Sequence, residues 1–267
     1  MPQTATKDLH GPDFTTAKLL YMVPPANGER VYTHINADFA TGLRKSNFVN
    51  EEKEVVIENI RGKEDTVSLD ASGFQYVHAP AKHKSFVDDE EVRREYYPES
   101  IELLKRLTGA SRVELFDHTI RRRRPGEIDD SPDKRQPVAQ VHVDQTTAAS
   151  IARVHRHLPA TDAPRLLERR FQIINLSVDQ KGDMFPVALI YPDREGETQG
   201  VKFNENHKWK YLRGMTPDEV VLIKCFDSIQ DGSVAVFTPH TGFSDPATPP
   251  DAPLRESIEL RALVFYD

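Results

Sequence analysis

The chain of 267 residues has one cysteine, Cys225, and one tryptophan. A lone thiol excludes an intrachain disulfide framework and suits a reducing compartment. No segment approaches the roughly 18 apolar residues that span a bilayer, and Met1–His10 lacks the apolar core of a secretory signal. The expectation is a cytoplasmic protein with no membrane partner. Lys and Arg total 35 against 42 Asp and Glu, a formal charge of −7, so no global basic field offers itself to nucleic acid. Repeats and low-complexity tracts are also missing, which excludes solenoids and long linkers.

What remains is ordinary soluble composition, 38% hydrophobic and 29% charged. The length suits one domain over residues 1–267 with a substantial core. Pro24-Pro25 and Asn27-Gly28 suggest that residues 1–50 are an irregular extension wrapped on that domain. Val55–Ile57 and Thr66–Leu69 read as short strands of a small meander. Asp88 begins a helix that Pro98 interrupts or restarts, and Ile101, Leu104 and Leu107 recur at helical spacing until Gly109. Arg112–Ile120 alternates as a strand, Arg121–Asp133 is a charged loop, and helices are expected at Thr146–His157 and Pro164–Arg169. Further strands are expected at Phe171–Asn175, Pro186–Tyr191, Lys208–Leu212, Val220–Phe226, Val234–Phe237 and Ile258–Tyr266. Thr216-Pro217-Asp218-Glu219 also has the form of a capping box. The pattern points to a mainly β fold with supporting helices, a double-stranded β-helix (jelly-roll, cupin-like) barrel.

Chemistry concentrates in two strand-like segments. Residues two apart on a strand share a face, so His142 and Asp144 can both point inward while Val143 packs outside. His240 can complete two imidazoles and one carboxylate on one face of a non-haem Fe(II), leaving three positions open. Arg255, with Ser257 two residues on, can supply the planar fork and hydroxyl that grip the far carboxylate of 2-oxoglutarate. Arg261 falls on the same face and ranks second, being farther from the strand's start. Each part has a bland alternative. His-x-Asp arises by chance in many chains, and His240 after Thr238-Pro239 can be a loop histidine satisfied by backbone. It is the combination with Arg255-x-Ser257 that favours a metal site.

Other clusters are weaker. His155 and His157 sit at a helix end, where cations complement the dipole. His78 and His83 lack a carboxylate at ligand spacing, and Asp117 and His118 point to opposite faces of one strand. Arg121–Arg124 reads as a solvated turn, or as a source of one arginine at the mouth of the site. Cys225, in an apolar run, reads as a small buried hydrophobe.

Several stretches resemble one fungal family. It contains the aspergillic-acid-pathway hydroxylases, the gibberellin desaturase and proteins related to cephem methoxylase. The matching stretches are Leu69–Phe74, Tyr96–Glu99, Phe116–Arg121, Val141–Gln145, Arg170–Asn175, Lys224–Ser228, Phe237–Thr241 and Pro253–Phe265. The resemblance implies an oxygenase of secondary metabolism that uses Fe(II), 2-oxoglutarate and O2, with His142, Asp144 and His240 as ligands and Arg255 at the co-substrate. The amides of Gln172 and Asn175 become candidates for hydrogen bonds to 2-oxoglutarate. One departure stands out: relatives continue the Asn175 strand with Val-Trp-Arg-Pro, whereas this chain has Leu176-Ser177-Val178-Asp179. The implied reaction hydroxylates, desaturates or cyclises an aliphatic carbon of a small metabolite, releasing succinate and CO2. The retained Asp144 argues against halogenation, which needs that position for chloride. Two readings from other classes stand beside it: a metal hydrolase or isomerase using bound hydroxide, and a non-catalytic ligand-binding barrel. A nucleic-acid demethylase rests on Arg121–Arg124 alone. A homodimer is compatible with the sequence.

Overall fold

Twelve strands and five α-helices are found among the described residues of the computed structural model, which are 11–38, 40–126, 135–175 and 183–266. In chain order the strands are β1 Phe14–Val23, β2 Val31–His34, β3 Val49–Asn59, β4 Phe74–His78, β5 Arg112–Arg122, β6 His142–Val143, β7 Phe171–Asn175, β8 Met184–Ile190, β9 Glu195–Val201, β10 Trp209–Tyr211, β11 Glu219–Asp227 and β12 Glu256–Phe265. The helices are α1 Leu69–Ser72, α2 Asp89–Glu91, α3 Tyr97–Thr108, α4 Thr147–His157 and α5 Ala163–Leu167. They assemble into an antiparallel five-stranded sheet, β4-β11-β7-β12-β5, a four-stranded sheet, β2-β8-β9-β6, and a three-stranded sheet, β1-β3-β10.

The alternation Phe171-Gln172-Ile173-Ile174 and Ala262-Leu263-Val264-Phe265 sorts the five-stranded sheet's core to two faces. Ile173, Leu263 and Phe265 pack with Val154 of α4, Leu158 just past its end and Leu166 of α5. Ile174, Ala262 and Val264 pack on the other face with Leu104 of α3 and Leu69 of α1. Burying apolar area on both faces at about 25 cal/mol per Å² makes this sheet the main source of cohesion.

Four expectations change. Within residues 11–50, the part taken as irregular contains β1 and β2. Ala17, Leu19 and Tyr21 are buried between exposed Thr16 and Lys18, so β1 follows a strand period and pairs with β3 from Phe14↔Glu58 to Val23↔Val49. Pro24-Pro25 and Asn27-Gly28 only end it. The supposed meander is instead the long β3 followed by a 3-10 turn at Glu64–Thr66 and α1. Pro98 does restart the helix at its first turn, one of the two readings, with a π-helical segment, Val92–Tyr96, leading in from α2; proline there does not need its missing N–H. Gly109, at φ 73°, closes α3 as expected. The third change is in β5, which runs through Arg122 and takes Arg121 and Arg122 out of the expected charged loop.

The fourth change concerns residues 234–237, which form no strand; only His240 bridges to the sheet. Thr216–Glu219 makes the capping-type contact, Glu219 accepting from the Thr216 N–H and hydroxyl, yet leads into β11 rather than a helix.

Candidate metal centre

β6 is two residues long and holds the site through its neighbours. It pairs with β9, His142 opposite Gly200 and Val143 opposite Gln199. On its other side His142 and His240 exchange both backbone hydrogen bonds, at 3.1 and 2.9 Å. The third residue, Asp144, lies one position beyond β6. Val143, fully buried in an apolar cluster with Leu19, Tyr21 and Val141, turns the strand so that His142 faces the opposite way.

The three side chains converge. His142 Nε2 lies 3.3 Å from Asp144 Oδ1, His240 Nε2 lies 3.9 Å from Asp144 Oδ2, and the imidazole centroids are 4.2 Å apart. One ligand atom from each falls within 4.8 Å of the others, the only such group of three or more among the described residues. Donors about 2.1 Å from one ion and on one face of it stand roughly 3 Å apart, so little movement separates this arrangement from a bound one. His142 Nδ1 lies 2.7 Å from the Gln140 carbonyl. Donation there orients the ring, so that Nε2–H points at Asp144 without a metal and Nε2, once deprotonated, offers its lone pair to an ion. His240 Nδ1 is buried without a hydrogen-bond partner.

Burial and the neighbouring His142 charge push His240 down to about 3, so its ring is neutral and able to ligate. Burial alone would also lower His142, but the hydrogen bond and charge of Asp144 outweigh it and hold it above its ordinary value. Burial would raise Asp144, yet the imidazoles and Arg261 keep it well below the usual carboxylate range.

Opposite the triad lies the inner face of the five-stranded sheet. Registers Arg121↔Ser257, Thr119↔Glu259 and Arg261↔Asp117 put these six residues on one face of β5 and β12. Arg261 Nη1 donates to Asp117 Oδ2 and Thr119 Oγ1, each at 2.9 Å, and Nη2 is ion-paired with Glu259. Burial would lower it, but Glu259, Asp144 and Asp117 hold its pKa above the ordinary arginine value. Arg255 immediately precedes β12 and is exposed; desolvation and the charge of Arg121 push it below its usual value, with Glu259 opposing.

Two β-bulges shape this face. Phe116 is the extra residue between Leu115 and Asp117, and Cys225 the extra one between Lys224 and Phe226. A bulge breaks the two-residue alternation and re-aims a side chain. Cys225 is fully buried, as read from the sequence, and the bulge brings its Sγ to 3.8 Å from Asp144 Oδ2. Across β8, β9 and β6, Phe185, Gly200 and His142 lie in one row. A Cβ on Gly200 would fall 2.6 Å from Met22 Sδ and 2.7 Å from Phe185 Cζ. The glycine therefore seats an apolar ring beside the imidazole, a role that a glycine inside a strand can signal in advance.

Other expected residues go elsewhere. Gln172 is buried in β7, its amide nitrogen 2.7 Å from Asp227 Oδ2 and its oxygen bound by the Tyr266 hydroxyl. Both ends of the amide are thus engaged, the nitrogen in the ionic cluster of Lys224, Asp227, Asp70 and Arg170 and the oxygen by Tyr266. The Asn175 side chain and residues 176–179 lie outside the described residues. His83 and His118 pair with Glu95 and Asp89, and His157 stacks on Phe116.

A family model described as an oxidoreductase/YMDC permease-like domain matches residues 19–176 and 176–265. The hydroxylase/desaturase efuI of Hormonema carpetanum is 34% identical over 80% of this chain and 83% of its own length. The Fe(II)/2-oxoglutarate-dependent dioxygenase nvfI of Aspergillus novofumigatus is 30% identical over 93% and 96%. A solved structure of the iron and alpha-ketoglutarate-dependent endoperoxidase NvfI superposes with a TM-score of 0.82 at 27% identity, covering 95% of this chain and 98% of that one.

Proposed function

Because this chain belongs to the family of fungal hydroxylases/desaturases and Fe(II)/2-oxoglutarate-dependent dioxygenases, we propose that it uses Fe(II), 2-oxoglutarate and O2 to hydroxylate, desaturate or cyclise a small metabolite at an aliphatic carbon. The observation that carries this reading is the convergence of His142, Asp144 and His240. Two neutral imidazoles and one carboxylate suit an ion that keeps open positions for other ligands. Iron held there supplies the activation of dioxygen, coupled to conversion of 2-oxoglutarate into succinate and CO2.

The chain's own residues do the rest. The Gln140 carbonyl orients the His142 ring, and the S–H of Cys225 lies against the outer Asp144 oxygen. Arg255 and Ser257 are assigned to the distal carboxylate of 2-oxoglutarate. Support comes from their position at the start of β12, from the Arg255 side chain's exposure, and from the engagement of Arg261 with Asp117, Thr119 and Glu259. Phe185, seated on Gly200, and Met22 form an apolar wall beside His142 that excludes water and favours an apolar-bodied substrate.

The reading extends to the architecture: the four- and five-stranded sheets are the two walls of a double-stranded β-helix, and residues 1–267 make one domain. No described helix is long and apolar enough to cross a membrane; the single cysteine supports a cytoplasmic location. Assembly as a homodimer is retained as a proposal.

The decisive experiment adds Fe(II) and 2-oxoglutarate anaerobically, records the visible absorbance of the complex, then admits oxygen and measures succinate with a metabolite panel. Succinate matched by a gain of one oxygen or a loss of two hydrogens supports the reading. Hydrolysis or isomerisation without consumption of 2-oxoglutarate would replace it.

A further inference from the structure

In the sequence Arg121 stood as the first of four consecutive arginines, any one of which could reach the mouth of the site. On β5 it lies opposite Ser257, so it shares the face that looks toward the triad. Its side chain is only 15% exposed, and its charge reaches both His142 and His240. Yet its contacts are modest for a buried guanidinium. Nε stands 3.5 Å from Glu259 Oε2, and Nη1 donates to the Gln136 carbonyl at 3.2 Å. Glu259 is shared with Arg261, to which it is bound more closely.

The second cation nearby is Arg255, which has no carboxylate at ion-pair distance among the described residues, and whose charge is opposed by that of Arg121. Arg255 sits opposite Arg123 and two residues before Ser257, so by register it shares the face of Arg121 one diagonal step away, and the two guanidinium groups have a single, divided carboxylate beside them. Such a pair is repulsive until an anion enters between them, when two planar forks can each give charge-assisted hydrogen bonds to one carboxylate. We infer that Arg121 is a second co-substrate residue, closing with Arg255 on the distal carboxylate of 2-oxoglutarate while Glu259 positions its guanidinium. This rests on the Fe(II)/2-oxoglutarate reading above.

The test compares two keto acids on the anaerobic Fe(II) protein by calorimetry: 2-oxoglutarate, and 2-oxobutyrate, which has the same metal-binding end but no distal carboxylate. Loss of a charge-assisted hydrogen-bonding partner should weaken 2-oxoglutarate roughly 10- to 100-fold in Arg121→Gln, with 2-oxobutyrate affinity kept within about twofold. Arg121→Lys, which keeps the charge and favours folding, should show a smaller loss with the same selectivity for the dianion. Glu259→Gln should shift 2-oxoglutarate affinity and leave 2-oxobutyrate unmoved. Unchanged 2-oxoglutarate binding in Arg121→Gln and Arg121→Lys, or an equal loss for both acids, would overturn the assignment. Failure of the wild-type protein to bind either acid would instead overturn the oxygenase reading, and this inference with it.

Discussion

His142, Asp144 and His240 offer three donors, half of an octahedral shell. His142→Ala, Asp144→Ala and His240→Ala are each expected to abolish Fe(II)-dependent succinate formation, with far-UV circular dichroism unchanged. Near-normal turnover in any one would remove that residue from the ligand set. Arg255 and Arg261 should separate. Arg255→Lys loses the planar fork and should raise the KM for 2-oxoglutarate by roughly tenfold or more. Arg261→Lys breaks a hydrogen-bonded set with Asp117, Thr119 and Glu259, so its effect should fall mainly on the thermal midpoint. The opposite outcome would exchange their roles. His142 and Asp144 were legible because residues two apart on an extended chain share a face; His240 was included through its combination with Arg255-x-Ser257, and the strand expected before it does not form. The engagement of Gln172 with Asp227 and Tyr266 was not legible, since it depends on which strands become neighbours.

At the scale of elements, the readable parts were those with an unbroken period. α3 ended at Gly109, α4 began at its Thr146 cap, and β7 and β12 emerged close to their expected bounds. The bulges at Phe116 and Cys225 were not readable, because an extra residue is invisible until its partner strand is known. β1 was hidden for a simpler reason: the proline pair and Asn-Gly that follow it drew the whole region into an irregular assignment. Gly200 gives this scale its prediction. Its added Cβ in Gly200→Ala would collide with Met22 and Phe185, and overpacking of this kind costs about 1–3 kcal/mol. Denaturant unfolding should show that loss, and Phe185→Leu in the same chain should recover part of it. An equally stable Gly200→Ala protein would mean that the ring has room to move aside.

For the whole molecule, ion pairs tie distant segments together and set its response to acid. Two hydrogen bonds from Arg61 are the main cause holding Glu219 below its ordinary value. Burial would raise Asp70, but its bonds to Arg170 and Lys224 hold it lower. A carboxylate depressed on folding adds stability that is complete above its unfolded pKa, near 4. That stability is lost as the pH falls through the lower folded value. The carboxylate contribution to the denaturation midpoint of metal-free protein should therefore stay level from neutrality to about pH 5 and fall below it, on top of a loss that starts near pH 6.5, where the unfolded chain protonates the imidazole that buried His240 keeps neutral. Glu219→Gln should shrink that fall. A midpoint that instead rose on acidification would show that these pairs do not contribute.

The reciprocal hydrogen bonds between His142 and His240 join points roughly a hundred residues apart along the chain. Between them lie α4, α5 and β7 to β11. The loop-closure entropy of so long a segment has to be offset by the folding of what it contains. An unfinished chain has one imidazole and one carboxylate in place and lacks the second imidazole. A metal centre built from these three residues would therefore be a late product of folding, complete only once the chain as far as His240 has found its place.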